Sequence, residues 1–160
     1  MSAVSERRVF SAARKIRFGH ADPAGIVYYP NYFDMFNGVV EDFFDEWIGV
    51  PFETLKAEHR LVTPLRHVEC GFVGPSRIGD RLSLSMALVR VGRTSITLDI
   101  EGTVDDEPRV RARLVHVFVS TEDGRPLPPP QFIAERLRAF SVSALGEDFS
   151  PQIMPNTERL

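Results

Sequence analysis

One stretch of the chain gathers residue types able to act on a carbonyl: Ile16-Arg17-Phe18-Gly19-His20-Ala21-Asp22-Pro23-Ala24-Gly25-Ile26-Val27-Tyr28-Tyr29-Pro30-Asn31-Tyr32. Pro23 stiffens the backbone after Asp22, and Gly25 lets the loop fold close to another backbone. The amides around Tyr29 to Tyr32 precede a helix, so they are unpaired and lie at the positive end of its dipole. A carboxylate facing such amides suits acyl transfer. The amides hold a developing oxyanion while the carboxylate attacks the carbonyl or activates water. The same residues also suit a plain turn, because Asp-Pro opens turns and Tyr28 and Tyr29 fit a core as well as a pocket.

The elements that must hold this loop are legible around it. Arg8 to Phe18 reads as a first strand ending at Gly19. From Pro30, the residues Tyr32, Phe33, Phe36, Val39, Val40, Phe43, Phe44 and Trp47 recur at three- and four-residue spacing. That is an amphipathic helix from about Pro30 to Ile48, stopped by Gly49 and Pro51, with its aromatics directed to the core. Gly38 inside it implies a close backbone approach. A short helical piece, Phe52 to His59, precedes four strands. The first is Leu61 to Val73, followed by a bend at Pro75 to Asp80. The second carries Leu82, Leu84, Met86 and Leu88 on one face. The third carries Ile96, Leu98 and Ile100, and the fourth runs from Val110 to Ser120 after a turn at Asp105-Asp106-Glu107-Pro108. Short turns between strands imply an antiparallel meander. The fold class is α+β, one long helix on one face of a five-stranded antiparallel sheet. Arg125 to Pro130 is an extended proline-rich connector to a last helix, Gln131 to Phe140. The expected organisation is a single domain over residues 1–140 and a tail over 141–160 that ends Pro151-Gln152-Ile153-Met154-Pro155.

Composition narrows the function classes. The 160 residues are the size of one domain, and a net charge of −3 argues against a general nucleic-acid binder. Cys70 is the single cysteine, so no intramolecular disulfide or Cys-based metal cage is expected. With no apolar start and no run long enough for a membrane span, a cytoplasmic, unexported protein is expected. The motifs of serine hydrolases, P-loop enzymes, dinucleotide binders and zincins are absent. Of His20, His59, His67 and His116, only His67 has a ligand-type neighbour on its strand face, Glu69, so no metal site is expected. Cys70 reads as packing. Arg109, Arg111 and Arg113 alternate on one face of the last strand. One helix cannot cover five long strands, which predicts at least a dimer.

The run Asp22-Pro23-Ala24-Gly25-Ile26-Val27-Tyr28-Tyr29-Pro30-Asn31-Tyr32 resembles the signature of the 4-hydroxybenzoyl-CoA thioesterase family, hotdog-fold enzymes of the aspartate-using type. The resemblance extends to about Ser120, with Thr63-Pro64, Phe72-Val73 and Gly79-Asp80 at similar places. It implies a long helix wrapped by a curved sheet, paired into homodimers and often homotetramers. It makes Asp22 the catalytic carboxylate, nucleophile or general base, and the Tyr29 backbone N–H the donor to the thioester carbonyl. Gly25 would shape the loop and Tyr28 would line the acyl pocket. Two features depart from the pattern. Where the family carries a helix carboxylate for the substrate's para-hydroxyl, this chain has Asn37, whose amide can donate or accept. The family's basic cluster for the coenzyme A phosphates is thinner here: Arg93 matches, Gly92 and Thr94 do not, and Arg90, Arg77 or Arg81 could substitute.

The resulting expectation is an acyl-CoA thioesterase for a small, aromatic acyl group, with coenzyme A entering as part of the substrate and no other cofactor. The alternatives are a thioesterase for short aliphatic acyl-CoA or acyl carrier protein, and a hotdog module that binds acyl-CoA without turning it over.

Overall fold

The computed structural model describes residues 8–141. The chain forms β1 (Phe10–Lys15), a 3-10 turn (Phe18–His20), α1 (Pro30–Phe43) continued by a π-helical turn (Phe44–Ile48), and α2 (Phe52–His59). There follow β2 (Leu61–Val62), β3 (Leu65–Phe72), β4 (Arg81–Val91), β5 (Ser95–Val104), β6 (Glu107–Val117), β7 (Val119–Ser120) and α3 (Gln131–Ser141). Apart from Ser141, the expected tail lies outside the described residues.

Five strands make one antiparallel sheet in the order β1-β4-β5-β6-β3. The period-two pattern explains which face is inside: Leu82, Leu84, Met86, Ile96, Leu98, Ile100, Val110 and Leu114 are all buried. Against this face α1 lays Tyr32, Met35, Phe36, Val39, Val40 and Phe43. Each large apolar side chain removed from water contributes about 1.5–3 kcal/mol, so this single seam accounts for much of the fold's stability. The hotdog arrangement of one long helix across a five-stranded antiparallel sheet is as the sequence implied. Asp105 (φ 50°) and Asp106 (φ 64°) form the β5–β6 turn. Two consecutive left-handed residues suit the twist of a tight hairpin, and aspartate tolerates them. Gly102 is required by packing, since a Cβ there would sit 2.7 Å from Val110 Cγ1 and 3.1 Å from Leu84 Cδ2.

Several expectations are corrected. The Leu61 to Val73 strand is broken at Pro64, which has no N–H to continue a ladder. Its first part, β2, pairs with β7 in a separate two-stranded sheet. Its second part, β3, skips two strands and pairs with β6 at the far edge, so only β4, β5 and β6 form a meander. The last long strand likewise divides into β6 and β7 at buried Phe118. The first strand is shorter than Arg8 to Phe18, because Phe18 already belongs to the 3-10 turn. Trp47 is not core: it is 42% exposed, edge-on to Phe140, with the Arg8 guanidinium over its ring. The room at Gly38 is taken not by backbone but by the Arg14 guanidinium, which reaches across to Asp42. Arg111 and Arg113 pair with Glu101 and Asp99 on the outer face of the sheet.

His116 gives a testable pH dependence. It is 3% exposed, its Nδ1–H donates to Thr63 O at 2.8 Å, and its Nε2 has no partner among the described residues. Burial lowers its pKa below the ordinary value of 6.5, so the unfolded chain takes up this proton first as pH falls. His116 therefore contributes stability that is complete above about pH 6.5 and is lost below it, at no more than about 1.4 kcal/mol per pH unit. In His116→Asn the amide keeps a donor for Thr63 O, and urea midpoints measured between pH 7 and pH 5 should lose this component of the slope.

Candidate active site

The loop before α1 is a miniature hairpin. His20 O accepts the Tyr28 N–H and Asp22 N–H donates to Ile26 O, both at 2.9 Å, and Ala21 and Val27 form a bridge between them. Its turn is closed by Gly25 N–H donating to Asp22 O at 2.9 Å, with Gly25 at φ +76°, where a side chain would be strained. Within this turn Asp22 Oδ1 accepts the Ala24 N–H at 2.8 Å, and Oδ2 has no hydrogen-bond partner among the described residues. The carboxylate is thus held by one oxygen and presents the other.

The helix start supplies the second component. Pro30 is the first helical residue and carries no N–H, while Asn31 N–H donates to Tyr28 O and Tyr32 N–H to Tyr29 O, at 2.9 and 3.1 Å. Tyr29 N–H, between them, makes no hydrogen bond among the described residues. An unpaired amide at a helix start is a donor directed at an anion or a polarised carbonyl.

The β3–β4 crossover brings the remaining wall. Val73 to Asp80 passes beside the loop, where Val27 N–H donates to Ser76 O at 2.8 Å and Ile26 bridges to Arg77. The Tyr32 hydroxyl donates to Ser76 Oγ at 2.9 Å, both residues being buried. Burial raises the Tyr32 pKa, which keeps the phenol protonated and donating. Between loop, helix and crossover lies a cavity of about 560 Å³. Asp22, Tyr28, Tyr29, Tyr32, Phe72 and Val73 are among the residues that line it. The rings form a chain: Tyr29 lies edge-on to Phe72 with centroids 6.1 Å apart, and Tyr32 is tilted to Phe72 at 5.8 Å. A volume of this order with mostly apolar walls and one carboxylate is that of a small-molecule site.

Of the residues singled out from sequence, the cavity lining includes Asp22, Tyr28 and Tyr29, and Gly25 shapes the turn beside them. Asn37 is exposed on α1 and Arg90 and Arg93 are exposed at the β4–β5 hairpin, and none of the three lines the cavity of the single chain. Arg77 is the basic residue joined to the site loop, through its bridge to Ile26. The sequence reading missed Tyr32, Phe72, Val73 and Ser76 as lining residues. Tyr32 and Phe72-Val73 entered it only as positions of the family resemblance, and Ser76 only as part of the bend from Pro75 to Asp80. Cys70 lies half-buried on the core side of β3, its thiol pushed up to about 11 by burial, which keeps it protonated and unreactive. His67 and Glu69 form an exposed pair on β3. Among the described residues no three His, Cys, Asp or Glu side chains gather to hold a metal ion, and no helix is long and apolar enough to cross a membrane.

Comparison with known proteins adds three findings. The sequence profile of a family described as the thioesterase-like superfamily matches residues 16–137. Among curated relatives, the 4-hydroxybenzoyl-CoA thioesterase of Pseudomonas sp. (strain CBS-3) is 28% identical over 144 residues, covering 86% of this chain and 94% of the relative. The 1,4-dihydroxy-2-naphthoyl-CoA hydrolase of Synechococcus elongatus is 23% identical over 126 residues, covering 78% of this chain and 92% of the relative. Among solved structures, a hypothetical protein from Staphylococcus aureus in complex with CoA superposes with a TM-score of 0.83 at 11% identity, over 97% of this chain and 98% of its own.

Proposed function

The chain belongs to the thioesterase-like superfamily, and from that premise we propose that it hydrolyses an aromatic acyl-CoA to the free acid and coenzyme A in the cavity around Asp22. The observation that carries this reading is the pairing of two unengaged groups in one aromatic-walled cavity, the Asp22 Oδ2 and the Tyr29 N–H. Relatives named for 4-hydroxybenzoyl-CoA and 1,4-dihydroxy-2-naphthoyl-CoA support the aromatic class. The edge-to-face chain of Tyr29, Phe72 and Tyr32 offers ring faces and edges to a flat acyl group.

In this reading the Tyr29 N–H polarises the thioester carbonyl and stabilises the oxyanion formed on it. Asp22 Oδ2 acts in one of two ways. As nucleophile it adds to the carbonyl carbon, the C–S bond breaks, coenzyme A leaves as thiolate, and water then cleaves the mixed anhydride. As general base it takes a proton from water whose hydroxyl adds to the same carbon, and that proton passes to the departing thiolate. Either route needs no metal or redox group, and coenzyme A enters only as part of the substrate. Tyr28 borders the acyl group, Gly25 holds the turn, and Arg77, Arg90 and Arg93 are the cations available to the coenzyme A phosphates.

The protein acts as a homodimer or homotetramer in this proposal. The outer edge of β3 has no strand partner among the described residues, and Phe72 and Val73 are 52% and 55% exposed beside it. A coenzyme A substrate and a lone thiol suit the reducing cytoplasm.

The test is thiol release from benzoyl-, hydroxybenzoyl-, hydroxynaphthoyl-, acetyl- and hexanoyl-CoA. Differential transition-state binding by the aromatic walls should give kcat/KM values at least about ten-fold higher for the aryl thioesters. Preference for hexanoyl-CoA would move the chain to an aliphatic substrate, and no release from any thioester would remove the enzymatic reading.

A further inference from the structure

We infer that Asn31 is a positioning residue that aims the Tyr29 N–H relative to the Asp22 carboxylate, an inference that rests on the thioesterase reading. The Tyr28–Tyr29 peptide is trans and planar, so the direction of the Tyr29 N–H is opposite to that of the Tyr28 C=O in the same plane. Asn31 grips that plane from its carbonyl end, its own N–H donating to Tyr28 O at 2.9 Å. Its side chain then fastens the helix start to the carboxylate loop, Nδ2–H donating to His20 O at 2.8 Å. His20 O is the same atom that accepts the Tyr28 N–H, two residues before Asp22.

One asparagine therefore touches both halves of the site. Through its backbone it holds the peptide whose far end is the oxyanion donor. Through its half-buried side chain it ties that peptide to the turn carrying the carboxylate. Pro30, lacking an N–H, leaves no neighbouring amide to substitute if the Tyr29 N–H swings away. Asn31 touches no reacting atom in this arrangement; it acts through Tyr28 and His20.

The substitution Asn31→Asp keeps size and suits a helix start, where negative charge is stabilising. It has no donor for His20 O at neutral pH. Asn31→Leu removes the donor without adding charge, and Asn31→His restores a ring N–H near the place of Nδ2. Kinetics of all three are compared with wild type on the best aryl-CoA, with melting curves alongside. The expected result is a kcat lower by about 10- to 100-fold in Asn31→Asp and Asn31→Leu, since misplacing a catalytic group by about 1 Å costs of that order. An interaction that matters only in the transition state leaves KM within about two-fold. Melting temperatures should be little changed, and Asn31→His should recover part of the loss. Unchanged kcat in both Asn31→Asp and Asn31→Leu would overturn the inference. So would a fall in kcat that tracks a fall in melting temperature across the set, which is the mark of a merely structural role. Wild type that releases no thiol from any acyl-CoA, aryl or aliphatic, would instead defeat the thioesterase reading on which the inference stands.

Discussion

Replacing Asp22 by asparagine should lower the rate of coenzyme A release by at least about a hundred-fold while leaving the fold intact, given what general-base and nucleophilic groups contribute. The size of the effect follows from how the carboxylate is held. Its Oδ1 accepts the Ala24 N–H, and an asparagine Oδ1 can accept the same bond, so the turn closed by Gly25 persists. What changes is the other atom: an unpartnered carboxylate oxygen becomes an amide nitrogen that is neither a nucleophile nor a base. General-base catalysis alone contributes about 10²- to 10⁴-fold, and a covalent route lost outright costs more. Coenzyme A affinity, measured by calorimetry, should stay within about three-fold, because the carboxylate is assigned to the thioester and not to the phosphates. A variant that turns over within about ten-fold of wild type would move the chemistry to another group.

The second large effect is on stability. Phe43 is fully buried and sits at the junction of three elements: its ring lies 5.7 Å from Phe10 of β1, 6.0 Å from Phe44 of the π-helical turn and 4.8 Å from Phe140 of α3. Truncation to alanine loses the transfer free energy of the ring and leaves a cavity that three separate elements would have to close together. The cost should be about 3–5 kcal/mol. For a chain of this size that is a drop of about 6–20 °C in melting temperature. A drop under about 3 °C in Phe43→Ala would mean that α3 does not pack on α1 as described. Phe43 is remote from the cavity lining, so whatever protein remains folded at low temperature should keep its kcat.

The elements legible in the sequence are those governed by local physics. The spacing of Tyr32, Phe36, Val39, Val40 and Phe43 specifies the helix and the face it buries. The alternation of Leu82, Leu84, Met86 and Leu88 does the same for β4, and Asp105-Asp106 marks a turn that needs left-handed residues. The Asp22 loop is legible because proline, glycine and a helix start restrict the backbone at fixed offsets.

Long-range pairing is not legible. Nothing in the local pattern of Leu65 to Phe72 says that it pairs with β6 instead of β4, since the alternation is the same for either neighbour. The unseen crossover hides the cavity wall, for Phe72, Val73 and Ser76 reach Asp22 only because the chain passes over the loop on its way to β4. Asn37 is a different case, because the spacing that buries Phe36 and Val40 already places it on the polar face of the helix. Analogy of position points to it, yet it is exposed. Hydrophobicity alone places Trp47 in the core, while its large ring closes the surface between Arg8 and Phe140.

The most direct test of the site is a crystal structure of Asp22→Asn with a hydroxybenzoyl-CoA bound. The expected complex has the thioester carbonyl oxygen within hydrogen-bonding distance of the Tyr29 N–H, its carbon against the side chain at position 22, and the aryl ring among Tyr28, Tyr32 and Phe72. A thioester seated away from both the position 22 side chain and the Tyr29 N–H, with the cavity empty, would contradict the assignment of the active site.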